Sequence, residues 1–267
     1  MAIPEDVTVT RVNVSKSTKG ELPEKVDSLI VSSDALTDIG NKRLHNEDAF
    51  YSSDEKGVWF VADGVGGHNA GDFASQSLVD AIAKFKPEAN LDDSVETLEY
   101  IIQQTNDMLV DKAAGIDEAA VIGSTIALLI VHKSNGVILW AGDSRIYRIR
   151  AEAVEQLTYD HSLINEMIKN GDIDPKDPSS YPESNKITRA IGFSKALQLD
   201  HRNLSILPGD RYILCSDGLT KYLDDKEILS TSLSDSVASS NQKMLQKALD
   251  AGGTDNITTL TIEFIEG

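Results

Sequence analysis

Cysteine is almost absent from this 267-residue sequence, and Cys215 is its only example. A single cysteine cannot form a disulfide within the chain, which excludes a small scaffold held together by disulfides. Cys215 follows three apolar residues, 212–214, and has no histidine near it in the sequence. We therefore expect a small buried side chain at this position rather than a nucleophile.

Long hydrophobic runs are also missing. The longest, residues 119–131, is interrupted by Gly, Ser and Thr at 123–125 and is too short to span a bilayer. Near the first residue, Glu5 and Asp6 lie where a secretory signal would carry basic and then apolar residues. We expect a cytoplasmic protein without membrane insertion.

Basic residues are scarce relative to acidic ones. The chain has 25 Lys and Arg against 43 Asp and Glu, a formal net charge of −18. A surplus of this size repels phosphate backbones and anionic lipids, so nucleic acid is not an expected partner. The surplus favours cations, either as diffuse counterions or at a few organised carboxylates.

The chain is long enough to bury a sizeable core, and its 40% hydrophobic and 25% charged residues are ordinary for a globular protein. Residues 1–28 are polar, and we expect an extension there, either a docking segment or an added edge strand. Residues 29–267 are expected to form one domain. Within it, residues 160–186 are rich in proline and weakly periodic, which predicts a small flap containing a short helix.

Residues 58–62 are a continuous apolar run, which predicts a buried strand ending at Asp63. Apolar residues then recur at helical spacing over 74–85 and again over 95–109. These patterns predict two amphipathic helices, each with one face against a sheet.

Three more strands are predicted at 125–131, 137–141 and 145–150, joined by short links. Asn135-Gly136 is a strong hairpin signal, and we place it in the first turn. Because tight links join antiparallel strands, we expect these three to form a meander. The expected fold class is α+β, with antiparallel sheet covered by helices.

Four aspartates share one local pattern, since each lies where a strand or helix ends and has glycine beside or near it. A single Asp next to Gly is usually only a turn, but four such sites in one chain are harder to explain by turns. Glycine lets backbone carbonyls approach a ligand, and hard divalent cations prefer oxygen ligands. The four are Asp63, Asp143, Asp217 and Asp255.

A second cluster of charge lies at residues 43–48. Glu47 and Asp48 are adjacent in an extended segment, so their side chains point to opposite faces and at most one faces a given site. Arg43 is either an anion-binding side chain or a solvated surface arginine.

Taken in order, these segments resemble the metal-dependent protein phosphatases of type 2C, serine/threonine phosphatases, in their bacterial form. The resemblance runs from about residue 35 to residue 264. Its motifs are Arg43-x-x-Asn46-Glu47-Asp48, residues 61–68 around Asp63-Gly64, residues 123–125, Gly142-Asp143-Ser144-Arg145, Asp160-His161-Ser162, residues 187–192, Ser216-Asp217-Gly218 and Asp255-Asn256. It implies a four-layer αββα sandwich of two antiparallel sheets flanked by helices.

The resemblance also implies roles for individual residues at a centre of two Mg or Mn ions. Asp63 would bridge both ions, Asp217 and Asp255 would complete one, and Glu47 with the Gly64 carbonyl would complete the other. Arg43 would hold the substrate phosphate.

Two positions depart from the family pattern. Asp143 would belong to a third metal site, but Lys221 stands where that site has an acid, so we expect a weakened third ion. Some members have a histidine directly after Asp-Gly, whereas this chain has Val65 there and His68 three residues later.

The implied activity is hydrolysis of phosphoserine and phosphothreonine in proteins by a metal-activated water. The substrate would be the product of a Ser/Thr kinase, and the enzyme is expected to be a monomer. Two alternatives stay open at this point: hydrolysis of small phosphate esters, and a regulatory binding module of the same fold with weak or no activity.

Overall fold

The computed structural model describes residues 25–26, 29–66, 70–117, 119–172, 186–233 and 236–267. The strands in these ranges are β1 Lys25–Val26, β2 Leu29–Asp38, β3 Asp48–Ser53, β4 Val58–Gly66, β5 Ile122–Ser124, β6 Ile126–His132, β7 Asn135–Ala141, β8 Arg145–Arg150, β9 Ala153–Gln156, β10 Asp200–Ser205, β11 Arg211–Cys215 and β12 Ile257–Glu266. The helices are α1 Ala70–Ile82, α2 Leu91–Ala114, α3 Leu163–Asn170, α4 Asp217–Thr220, α5 Asp225–Ser232 and α6 Val237–Asp250.

The strands form two sheets in which every pairing is antiparallel. The first sheet has the order β1-β2-β12-β11-β8-β9. The second has the order β10-β7-β6-β4-β3, and β5 pairs with the end of β4. The predicted four-layer αββα sandwich is confirmed, because α1 and α2 cover the second sheet and α4, α5 and α6 cover the first.

Strand β4 shows why its sequence is apolar without interruption. Trp59 and Val61 lie in the core between the two sheets, whereas Val58 and Phe60 lie in the core under α1 and α2. Successive side chains of a strand point to opposite faces, so a strand buried on both faces needs a continuous apolar run.

The predicted three-strand meander is wrong at its third strand. Strands β6 and β7 pair as predicted, but β8 pairs with β9 and β11 in the other sheet. The link Gly142-Asp143-Ser144 crosses between the sheets, and Gly142 has φ of +116°, a backbone conformation that favours glycine. A tight link therefore carries the chain from one layer to the other.

The predicted hairpin between β6 and β7 is confirmed, but its turn is not where Asn-Gly indicated. Asn135 pairs with His132 and Gly136 pairs with Val131, so both belong to strand β7. The turn residues are Lys133 and Ser134, and Lys133 takes φ of +59°. The pairing register between β6 and β7 therefore sets the position of the turn, and the Asn-Gly pair does not.

The N-terminal extension, predicted at residues 1–28, lies largely outside the described residues. Strand β1, at the end of this segment, pairs with β2 at the edge of the first sheet.

One buried carboxylate ties the two sheets together. Asp48 in β3 pairs across the second sheet with Asp63. Its Oδ2 accepts hydrogen bonds from Ser216 Oγ at 2.6 Å and Thr258 Oγ1 at 2.7 Å, and both hydroxyls belong to the first sheet or its end. This contact fixes the edge of the sandwich at which β4, β11 and β12 meet.

We expect Thr258→Val to lower the free energy of unfolding by about 1–3 kcal/mol, because it leaves a buried carboxylate without one of its donors. Urea denaturation monitored by circular dichroism measures this. The matched control is Thr259→Val in the same strand, whose hydroxyl bonds to the neutral Asn241 amide at 3.2 Å. An equal or greater loss in the control would contradict the assigned importance of Asp48.

Candidate metal centre

The four predicted aspartates come together at the edge of the sandwich where Asp48 links the two sheets through Ser216 and Thr258. Asp63 lies near the end of β4, and Asp143 lies in the link between β7 and β8. Asp217 begins α4, and Asp255 lies two residues before β12. Each therefore sits where a strand of one sheet or the other ends, and together they form one acidic cluster.

Asp63 is at the centre of this cluster. Burial raises the pKa of Asp63 well above its usual value, and the negative charges of Asp48, Asp217, Asp143 and Asp255 raise it further. A carboxyl surrounded by other carboxylates ionises only if positive charge is brought close to it.

Asp143 lies near Asp63, and one of its carboxylate oxygens has no hydrogen-bond partner among the described residues. Burial, with the charges of Asp217 and Asp160, raises the pKa of Asp143 to about 7. Its Oδ1 is buried and has no hydrogen-bond partner among the described residues. An unpartnered buried carboxylate oxygen is costly unless a cation or a water contacts it.

Two cationic side chains contact the outer part of the cluster. Lys221 Nζ lies 2.6 Å from Asp255 Oδ2 and 2.9 Å from Asp217 Oδ2. Arg43 Nε lies 2.6 Å from Asp255 Oδ1. Burial acts to raise the pKa of Asp255, but the hydrogen bonds from Arg43 and Lys221 outweigh it and lower that pKa.

Glu47 and Asp48 point to opposite sides, as predicted. Asp48 lies beneath the cluster, whereas the Glu47 carboxylate faces Arg43 and accepts a hydrogen bond from the Gly71 backbone. The Gly64 N–H donates to the Glu47 carbonyl at 3.1 Å. A Cβ on Gly64 would lie 2.2 Å from the Gly71 carbonyl oxygen, so only glycine allows this approach.

The amide of Asn256 supports the cluster, a role that the sequence did not reveal. Its Nδ2 donates to the carbonyls of Ile39 and His45, at 3.0 and 2.9 Å, and its Oδ1 accepts from the Glu47 N–H at 2.9 Å. Asn256 thus holds the segment that carries Arg43 and Glu47. The motif marked Asn256 as notable, but its partners lie about two hundred positions away in the sequence.

Thr125 is a second support that the sequence did not reveal. The Asp63 N–H donates to Thr125 Oγ1 at 2.9 Å, and that hydroxyl bonds to Ser144 Oγ at 2.7 Å. A short chain of hydrogen bonds therefore links the backbone of Asp63 to the link that carries Asp143.

The donor chemistry of the cluster suits Mg²⁺ or Mn²⁺, because the predicted ligands are carboxylates and a backbone carbonyl. Within the described ranges, no group of three Asp, Glu, His or Cys side chains is placed so that it could hold a metal ion as it stands. The ammonium group of Lys221 already contacts Asp217 and Asp255, which agrees with the absence of a ready metal site there. Divalent cations would still contact the unpartnered Asp143 oxygen and would offset the repulsion between Asp63 and its acidic neighbours.

No helix in the described part of the chain is long and apolar enough to cross a membrane. His68 and residues 173–185 of the predicted flap lie outside the described residues.

A family model for protein phosphatase 2C matches residues 40–251. The chain belongs to the protein phosphatase 2C family. It is 34% identical over 235 residues to a serine/threonine phosphatase stp of Listeria innocua, covering 85% of this chain and 93% of that one. The family and the serine/threonine phosphatase class predicted from the sequence are confirmed.

Solved structures agree with this family. PppA, described as a key regulatory component of T6SS in Pseudomonas aeruginosa, superimposes with a TM-score of 0.82 at 34% identity, covering 88% of this chain and 98% of that one. The catalytic domain of the phosphatase PstP, solved in complex with two manganese ions, gives a TM-score of 0.77 at 27% identity, covering 89% and 100%. A metal-dependent enzyme class follows for this chain.

The raised pKa values predict how the metal-free phosphatase responds to pH. Burial raises the pKa of Asp48 and of Asp143 to about 7, whereas an aspartate in an unfolded chain titrates near about 3.9. Between these values the native state binds more protons than the unfolded state, so the free energy of unfolding falls as the pH rises through this window. Denaturation in EDTA is expected to show greater stability at about pH 5.5 than at about pH 8.

Asp143→Asn is expected to reduce this difference, because it removes one of the two groups. The control is Asp92→Asn, an exposed position of α2, which should keep the difference seen in the unmodified protein. An unchanged difference in Asp143→Asn would contradict the prediction.

Proposed function

We propose that this phosphatase hydrolyses phosphoserine and phosphothreonine esters of proteins at a centre of two divalent cations, Mg²⁺ or Mn²⁺. The observation that carries the proposal is the charge of the cluster. Two cationic side chains, Arg43 and Lys221, lie beside five carboxyl groups that face the site, which leaves three excess negative charges when all are ionised. Divalent cations would offset this excess. The five carboxyl groups are Glu47, Asp63, Asp143, Asp217 and Asp255.

We assign the ligands that the family resemblance implies. Asp63 would take part in holding both ions, with Asp217 and Asp255, whose oxygens Lys221 and Arg43 contact here, at one and Glu47 and the Gly64 carbonyl at the other. The Gly64 backbone packs closely against that of Glu47, which supports the second group. We leave Asp48 out of the ligand set because it lies beneath the cluster, where its Oδ2 accepts hydrogen bonds from Ser216 and Thr258. Its Oδ1 is buried without a partner among the described residues.

When bound, the ions supply Lewis-acid charge and lower the pKa of a water molecule to near neutrality. Arg43 supplies the contact for the substrate phosphate. Its side chain is 49% exposed, and Asp255 holds its Nε at 2.6 Å. An arginine oriented by a carboxylate presents its remaining donors in a fixed plane, which matches the oxygens of a phosphate dianion.

A covalent cysteinyl route does not fit the structure. Cys215 is fully buried in the first sheet, and burial raises the pKa of its thiol to about 12. The thiolate is the reactive form of cysteine, so this side chain is not a nucleophile near neutral pH.

The substrate is proposed to be a protein modified by a Ser/Thr kinase, and the enzyme to act as a monomer in the cytoplasm. A cavity of about 270 Å³ opens beside Asp143 and is bounded by the flap helix α3. It offers room for residues that flank a phosphoserine or phosphothreonine. Both charge signs line it, through Asp143, Arg145, Asp160, Asp217 and Lys221.

Release of phosphate from a phosphothreonine peptide tests the proposal. Activity is expected with Mn²⁺ or Mg²⁺ and is expected to vanish in EDTA. Asp63→Asn and Asp217→Asn should each lower kcat/KM by more than about 100-fold, because each removes a charged metal ligand. The matched control is Asp92→Asn, which should retain full activity.

Two results would contradict the proposal. Metal binding without turnover of any ester would indicate a regulatory binding module. Turnover of small phosphate esters alone, without any phosphopeptide, would place the enzyme in a different substrate class.

Lys221 predicts that a third ion binds weakly. Its ammonium group contacts Asp217 and Asp255, and its charge opposes the rise in the pKa of Asp143. Lys221→Asp replaces this positive charge with a carboxylate and is expected to strengthen binding of a third Mn²⁺, measured by isothermal titration calorimetry. Lys221→Met, which removes the charge without adding an oxygen ligand, should fall between the two. Three ions of equal affinity in the unmodified protein would contradict this.

A further inference from the structure

His161 is a buried histidine that the proposed chemistry does not use. Its ring is 6% exposed and stacks on Trp140 with a centroid separation of 6.3 Å and an interplanar angle of 8°. Its Nδ1 lies 3.0 Å from the Gly142 nitrogen, and its Nε2 lies 3.3 Å from Asp200 Oδ2. Polar contacts therefore engage both ring nitrogens.

The Gly142 contact determines which ring nitrogen carries the proton. A backbone N–H can only donate, so Nδ1 must accept and Nε2 must carry the hydrogen. The Nε2–H then points to Asp200, which Arg189 Nη1 holds at 2.6 Å. Burial lowers the pKa of His161, and so does the nearby charge of Arg189, which agrees with a neutral ring.

Gly142 is held twice by the same residue. Besides the ring contact, its carbonyl accepts a hydrogen bond from the His161 backbone N–H at 2.9 Å. Gly142 has φ of +116° and directly precedes Asp143. Because Asp143 Oδ1 has no partner among the described residues, the backbone of this link has a large part in placing the carboxylate.

His161 also contacts the segment that follows residue 185. The Thr188 N–H donates to the His161 carbonyl at 2.9 Å, and the Leu163 N–H donates to the Lys186 carbonyl at 2.9 Å. The described chain before residue 173 and after residue 185 is therefore joined by hydrogen bonds at and beside His161. Its ring connects this junction to the link that carries Asp143.

We propose that His161 is a positioning residue that fixes the Gly142–Asp143 link from this junction, with Asp200 and Arg189 holding the accepting tautomer. The functional part of this inference rests on the proposed function and on Asp143 as a ligand of the weaker third ion that the sequence predicts. The structural part concerns Gly142 alone, and it is measured without substrate or metal.

Three variants distinguish the role of Nδ1 as the hydrogen-bond acceptor for Gly142 from the packing of the ring on Trp140. His161→Asn places an amide oxygen where Nδ1 lies, one bond from Cγ, and keeps an acceptor for Gly142. His161→Gln places its amide one bond further out. His161→Phe keeps a ring that stacks on Trp140 but has no acceptor.

The first measurement is hydrogen exchange of the Gly142 amide by NMR in the metal-free, full-length protein. We expect exchange to quicken by about tenfold or more in His161→Phe and His161→Gln and to stay close to the unmodified rate in His161→Asn. Nitrogen-15 shifts of the imidazole should show a proton on Nε2 of the unmodified protein. A proton on Nδ1, or unchanged exchange in His161→Phe, would overturn the proposal.

The second measurement is the Mn²⁺ concentration that gives half-maximal hydrolysis of a phosphothreonine peptide. We expect this concentration to rise in His161→Phe and His161→Gln and to recover in His161→Asn. If all three variants lose thermal stability and activity equally, His161 has only a packing role and the proposal fails. If the unmodified protein hydrolyses no ester, the proposed function fails, whereas the exchange pattern still tests the structural part.

Discussion

Mutual repulsion among buried carboxylates is the constraint on which the rest of this structure depends. Asp63 is enclosed by other acids, and burial and their charges both raise its pKa. Such a cluster is stable only if cations enter it or if protons remain on it. The fold therefore holds acidic groups close together against their repulsion, an arrangement that suits the metal dependence of the family.

Neutral hydrogen-bonding groups provide the framework that resists this repulsion. Ser216 and Thr258 hold Asp48 between the sheets, Thr125 holds the backbone of Asp63, and Asn256 holds the segment before Asp48. None of them adds charge to the cluster. They keep the acids in place by satisfying backbone groups and the one carboxylate that faces away from the site.

The net charge of −18 and the local chemistry have opposite consequences for an anionic substrate. The protein as a whole repels phosphate, but Arg43 and Lys221 lie at the outer side of the cluster, and bound divalent ions would add positive charge there. Lys221 also contacts Asp217 and Asp255 directly, so one cationic side chain lies within the cluster itself. Local positive charge thus exists within an acidic protein.

Local patterns in the sequence determined a large part of this protein. The apolar run at residues 58–62 predicts a strand buried on both faces, and the four aspartates beside glycines predict an oxygen-ligand site. Tertiary structure decided the rest, because it depends on partners far apart in the chain. Strand β8 joins the other sheet because Gly142 turns the chain between layers, and the β6–β7 turn falls at Lys133 because strand register outweighs the Asn-Gly signal. The roles of Asn256, Thr125 and His161 rest on hydrogen bonds to distant residues, and no local pattern encodes such contacts.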